Sequence, residues 1–218
     1  MRLALALVLL ASGCASVSTR PPVVLESEHG VVRAQSQFTA ETVGRVLEQG
    51  PAIKQRLAST RTDKPQVWVL ASARAHSNGA FGACGTDRIQ LGYDALVDLR
   101  TILVHELVHW YAEESPFADL PHFIEEGLAD YLALESTRVA NGLSADFTLT
   151  GTFDISVREF SMTNLEARSL PVERNRELRD VGCCVVSHLG LDRVRELAAG
   201  NAQPADYLAE AGRVSEVP

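Results

Sequence analysis

His105-Glu106-Leu107-Val108-His109 is the stretch that most restricts how this chain can fold. Two histidines four residues apart share a side when the backbone is helical, because 3.6 residues per turn stacks position i+4 above position i. On such a helix both imidazoles reach one metal ion, and Glu106, one step round from His105, approaches a water held by that ion. The pattern HExxH fixes only three positions, so the residues downstream decide its meaning.

Zinc takes four ligands, and a catalytic site draws three from protein and leaves the fourth position for water. One helical face cannot surround an ion, so the third ligand must come from outside the His105–His109 helix. A third histidine at the spacing H-E-x-x-H-x-x-G-x-x-H is excluded, since Ala112 and Ser115 stand where the glycine and histidine belong. Further on comes Pro121-His122-Phe123-Ile124-Glu125-Glu126-Gly127-Leu128-Ala129-Asp130-Tyr131. From Phe123 onward this resembles the aromatic-x-x-Glu-Gly-x-Ala-x-Tyr signature of gluzincin metallopeptidases, in a compact peptidase MA-like form. The resemblance implies that Glu126, directly before Gly127, is the third metal ligand and that Glu125 points elsewhere on its helix. It also implies a role for Asp130, one helical turn after Glu126. In thermolysin-like gluzincins an aspartate at this offset accepts the outer ring N–H of a ligating histidine, fixing its tautomer and raising its basicity. Asp130 is therefore the expected partner of His105.

The N-terminus bounds where such a protein works. Met-Arg, an apolar run over residues 3–11 and then Ser12-Gly13-Cys14-Ala15 describe a secretory signal too short to span a bilayer. Ala11-Ser12-Gly13-Cys14 also resembles a bacterial lipobox, with Ala11 in the place usually held by leucine. The reading is a signal peptide over 1–13, a lipidated Cys14 with a tether over 14–22, and one domain over 23–218. Ala15 after Cys14 points to the outer membrane of the cell envelope; a freely secreted product cut near the same point is the alternative. About 205 residues then remain, enough for one hydrophobic core. A net charge of −8 argues against a nucleic-acid partner, which calls for a basic surface. Of the remaining cysteines, Cys84 is a candidate to form a disulfide with Cys183 or Cys184 in an oxidising compartment, against the alternative that all three are reduced core residues.

Short β-branched runs at 23–25 and 31–32 predict a hairpin, and 66–71 a core strand. Thr39 is a candidate cap for a helix over 40–48, Pro51 suits the first turn of its continuation, and Asp94 is a candidate cap for the His105–His109 helix. Pro121 then opens the second motif helix, to about residue 135. Residues 79–84 and 88–91 predict two strands joined by a tight turn. The resemblance places 79–84 at the sheet edge above the metal, where a peptide can add as another strand. Residues 136–153 look less regular, and helices at 180–189 and 191–199 end on Gly190 and Gly200. The expected fold class is α+β with a small mixed sheet, which the resemblance makes a zincin-like domain.

The expected activity is zinc-dependent hydrolysis of a peptide or protein substrate, with Glu106 as general base toward the metal-held water. Gluzincins commonly add a His or Tyr donor for the oxyanion. Arg179-Asp180-Val181-Gly182 stands where a tyrosine is often found, which leaves Tyr93, Tyr111, Tyr131, His76 and His122 as unranked stand-ins, and His188 as a structural histidine. The alternatives are a zinc-binding envelope lipoprotein without activity, serving as a binding or assembly module, and a hydrolase of another amide or ester.

Overall fold

The computed structural model describes residues 21–75, 81–145, 147, 149 and 156–215. Cys14 and the signal segment lie outside the described residues. The chain opens with the hairpin β1 (Val23–Glu26) and β2 (Val31–Ala34), followed by helices α1 (Gln37–Leu47) and α2 (Gly50–Arg56). Strands β3 (Gln66–Val69), β4 (Gly82–Cys84) and β5 (Ile89–Leu91) complete a sheet of order β1-β2-β3-β5-β4. The β2–β3 and β3–β5 pairs are parallel and the two outer pairs antiparallel. A 3₁₀ turn over Tyr93–Asp98 leads into α3 (Leu99–Ala112) and then α4 (His122–Ala140). Two single-turn helices, α5 (Val157–Phe160) and α6 (Asn164–Ala167), precede α7 (Val172–Ala199) and α8 (Pro204–Ser215). This is a mixed α+β architecture. Among the described residues no helix is long and apolar enough to cross a membrane.

Alternation along the strands explains the layering. Val32, Ala34, Val67, Val69, Ile89 and Leu91 are buried on one face of the sheet, against α1 and α3. The opposite face carries Trp68, with the guanidiniums of Arg88 and Arg33 at 4.5 Å and 5.8 Å from its ring centroid. Helix α3 is buried on most sides, since α4 covers the flank that the sheet leaves bare.

Helix α4 packs on α7 through two glycines. A Cβ on Gly182 would lie 1.7 Å from the Phe123 carbonyl oxygen, and one on Gly127 would lie 2.1 Å from the Gly182 carbonyl carbon. No other residue lets the two backbones come this close. The approach sets Arg179, one turn before Gly182, beside the acidic residues of α4.

Several boundaries differ from those the sequence suggests. Helix α1 starts at Gln37 because the Ser36 hydroxyl, rather than Thr39, caps it by accepting from the Thr39 amide at 3.1 Å. Asp94 does not cap α3. The amides of Tyr93 and Asp94 donate instead to the Ser72 and Ala73 carbonyls, and the helix begins five residues later, at Leu99. Pro121 is itself the cap residue of α4, which runs five residues past Glu135. Helix α7 begins at Val172, eight residues before Asp180. Its exposed first turns are tied down by Arg174, which pairs with Glu159 at 2.9 Å and Glu177 at 2.7 Å. Gly190 breaks that helix with φ 71°, and Gly200 closes it.

Candidate metal centre

Helices α3 and α4 bring the expected ligands together. The Nε2 atoms of His105 and His109 are 3.1 Å apart. Glu126 presents Oε2 at 3.6 Å from the first and Oε1 at 3.7 Å from the second. Bonds of about 2.0–2.1 Å in a tetrahedral zinc site place neighbouring ligand atoms about 3.3–3.4 Å apart. The three separations are near the spacing that one face of such a tetrahedron would need. Two imidazole nitrogens and one carboxylate also form a donor set that catalytic zinc uses. Among the described residues no other group of His, Cys, Asp and Glu side chains converges in this way.

The outer ring nitrogens are held as well. Asp130 Oδ1 lies 2.8 Å from His105 Nδ1, the partnership the sequence predicts. Glu125 is not idle: its Oε1 lies 2.9 Å from His109 Nδ1. Glu125 stays out of the His105, His109 and Glu126 group, as the sequence suggests, but its contact with His109 was not expected. It binds the outer edge of the imidazole whose inner nitrogen faces Glu126. Arg179 is the other residue the sequence did not assign. Its Nε is 3.3 Å from Glu126 Oε2, and its Nη2 donates to both Asp130 oxygens at 2.9 and 3.1 Å.

These charges shift one another. Burial raises the Asp130 pKa, but the His105 hydrogen bond and charge and Arg179 outweigh it and bring the group to about 2. Burial likewise opposes ionisation of Glu126, and His105, His109 and Arg179 overcome it, so that its carboxyl sits below the usual range. His109 is pulled down by burial and pushed up more strongly by Glu125, Glu126 and Glu106, to about 9.

Glu106 is only 6% exposed, and burial pushes its pKa up. Strand β4 runs over it so closely that a Cβ on Gly82 would lie 2.6 Å from its Oε1. His105, His109, Glu126 and Glu106 line a cleft of about 540 Å³ that also includes β4, Asn164, Arg168, Asn175 and Arg179.

Of the stand-ins for an oxyanion donor, His122 lines this cleft; its ring packs at 4.8 Å on Phe123 and neither nitrogen has a hydrogen-bond partner among the described residues. Tyr131 stacks on Phe147, Tyr111 is buried and Tyr93 is exposed on the surface. His188 turns its Nδ1 to the Cys184 carbonyl, a structural role. His76 lies outside the described residues. Cys84, Cys183 and Cys184 are free thiols, so the expected disulfide is not formed. Cys84 belongs to β4, which packs on α3, whereas the other two belong to α7, which packs on α4. No protein-family model, curated protein or solved structure matches the chain.

Proposed function

We propose that the chain is a zinc-dependent peptidase of the gluzincin type with a zincin-like fold, exported and tethered to the bacterial envelope through Cys14. One observation carries the reading: His105, His109 and Glu126, drawn from two helices, meet at 3.1, 3.6 and 3.7 Å beside a buried carboxylate. Zinc held there supplies Lewis-acid polarisation of a carbonyl and acidifies water.

The chain's own residues do the rest. Glu106, desolvated under β4, takes the proton of the attacking water on a carboxylate oxygen and returns it to the departing amine. β4 is the last strand of the sheet, so a substrate backbone can pair along its outer side above the cleft. The small side chains of Gly82 and Ala83 leave room for that approach. His122, on the cleft wall, is the candidate ring N–H donor to the carbonyl oxygen. Arg179 holds Glu126 and Asp130 in register from α7.

Hydrolysis of a peptide library by wild type and Glu106→Gln tests the proposal, with zinc content measured on both. Loss of the base lowers turnover by about 100-fold or more while zinc stays bound. Zinc uptake with no turnover in either protein points instead to the envelope binding module.

A further inference from the structure

Besides Glu106 and Glu126, the cleft lining holds the charged side chains of Glu113, Glu125, Arg168 and Arg179. All but one of these already have partners. Glu113 pairs with Arg61 at 2.5 Å, Glu125 lies 2.9 Å from His109 Nδ1, and Arg179 reaches Glu126 and Asp130. Arg168 differs. It is exposed, forms no ion pair among the described residues, and makes one side-chain hydrogen bond, from Nε to Asn164 Oδ1 at 3.2 Å. The segment beneath it is anchored. Ala167 is buried, its carbonyl accepts from Asn175 Nδ2 of α7 at 3.1 Å, and Thr163 and Glu166 close a capping box at the start of α6.

We propose that Arg168 is a specificity-determining residue, selecting peptides that carry a carboxylate near the bond to be cut. This rests on the peptidase reading above and names the class of substrate for that site. The Asn164 contact uses the Nε hydrogen and orients the guanidinium plane, which leaves the Nη1 and Nη2 hydrogens for a second molecule. Those two nitrogens form a fork that matches both oxygens of a carboxylate, a pairing that a neutral amide does not reproduce. Arg168 and β4 line the same cleft of about 540 Å³, a space that a few residues of peptide fill, so a carboxylate beside the scissile bond comes within reach of the fork. Arg179 does not compete for it, since Glu126 and Asp130 already occupy its guanidinium. The carboxylate has two sources, an Asp or Glu side chain or the peptide's own C-terminus.

Equilibrium peptide binding to the Glu106→Gln protein, which does not consume its ligand, tests the assignment. The probes are acetylated alanine-based peptide amides with one glutamate stepped along the sequence, each matched to its glutamine counterpart. At least one glutamate position should bind about 10-fold or more tighter than its amide. Arg168→Gln in the same background brings that ratio close to one, Arg168→Lys keeps part of it, and Arg168→Glu turns it against the acid. The same peptides with a free C-terminus separate the two sources, because the gain follows either the terminal carboxylate or the glutamate. Glutamate and glutamine peptides that bind alike at every position and with either terminus overturn the proposal, as does a preference that survives Arg168→Gln or a failure of every peptide to bind. Hydrolysis of neutral peptides by wild type then leaves the peptidase reading standing. An Arg168-dependent preference in a protein whose wild type hydrolyses nothing overturns the peptidase reading instead and leaves a carboxylate-binding cleft.

Discussion

Gly82→Ala is the perturbation with the sharpest expected consequence. An added Cβ would meet Glu106 Oε1 at 2.6 Å, Cγ at 2.9 Å and Cδ at 3.0 Å. Carbon–oxygen contacts begin near about 3.3 Å, so the carboxylate must retreat by roughly 0.7 Å. Misplacement of a reacting group by about 1 Å costs about 100-fold, and 0.7 Å corresponds to a fall in kcat of roughly 30-fold. The three nearest atoms all belong to the end of the Glu106 side chain, so the expected outcome is that metal content stays at the wild-type value. Overpacking of a buried site adds a stability cost of about 1–3 kcal/mol. Steady-state peptide hydrolysis with metal analysis reads the first effect, and urea unfolding reads the second. A double-mutant cycle isolates the contact: in a Glu106→Ala background the space is vacated, and Gly82→Ala should cost almost nothing. An unchanged kcat, or an equal stability cost in both backgrounds, refutes the reasoning.

Gly182→Ala strikes backbone rather than a side-chain tip, at 1.7 Å from the Phe123 carbonyl oxygen, and should cost about 3 kcal/mol or more in urea unfolding; a wild-type midpoint would contradict the α4–α7 contact. Asp130 has a folded pKa of about 2 against an ordinary 3.8, so the stability it gives is fully present above pH 4 and lost as pH falls through 4 to 2. Acid unfolding of the metal-free Asp130→Asn protein should therefore lack part of that pH dependence, and identical acid profiles would count against the ion pair. Burial and neighbouring carboxylates raise the Cys84 and Cys183 thiols well above the usual range, so both should alkylate slowly at pH 8 in the native protein and quickly in urea; rapid native labelling would contradict their placement.

The convergence of His105, His109 and Glu126 was legible because its pieces are local. His105 with His109, and Glu126 with Asp130, are each separated by four residues, and a helix fixes their shared face whatever packs around it. The Glu125–His109 contact was not legible, because it depends on how α4 is rotated against α3, which no single-helix offset contains. Arg179 reaches Asp130 across 49 residues, and the contact depends on Gly127 and Gly182 admitting α7. The early start of α7 was hidden by its polar first turns, which carry no apolar stripe, and the 12 residues of α8 went unread. The sequence puts Cys84 on a strand and the Cys183–Cys184 pair on a helix, but it contains no distance between those elements, so the expected disulfide could not be judged from it. The sheet was better signalled, because the short β-branched and apolar runs at Val31–Val32 and Val67–Val69 suit a strand on their own.

Diffraction recorded on both sides of the zinc absorption edge tests the central claim most directly. The account predicts one anomalous peak per chain, about 2.0–2.2 Å from His105 Nε2, His109 Nε2 and a carboxylate oxygen of Glu126. No peak, or a peak that Glu126 does not reach, would contradict it.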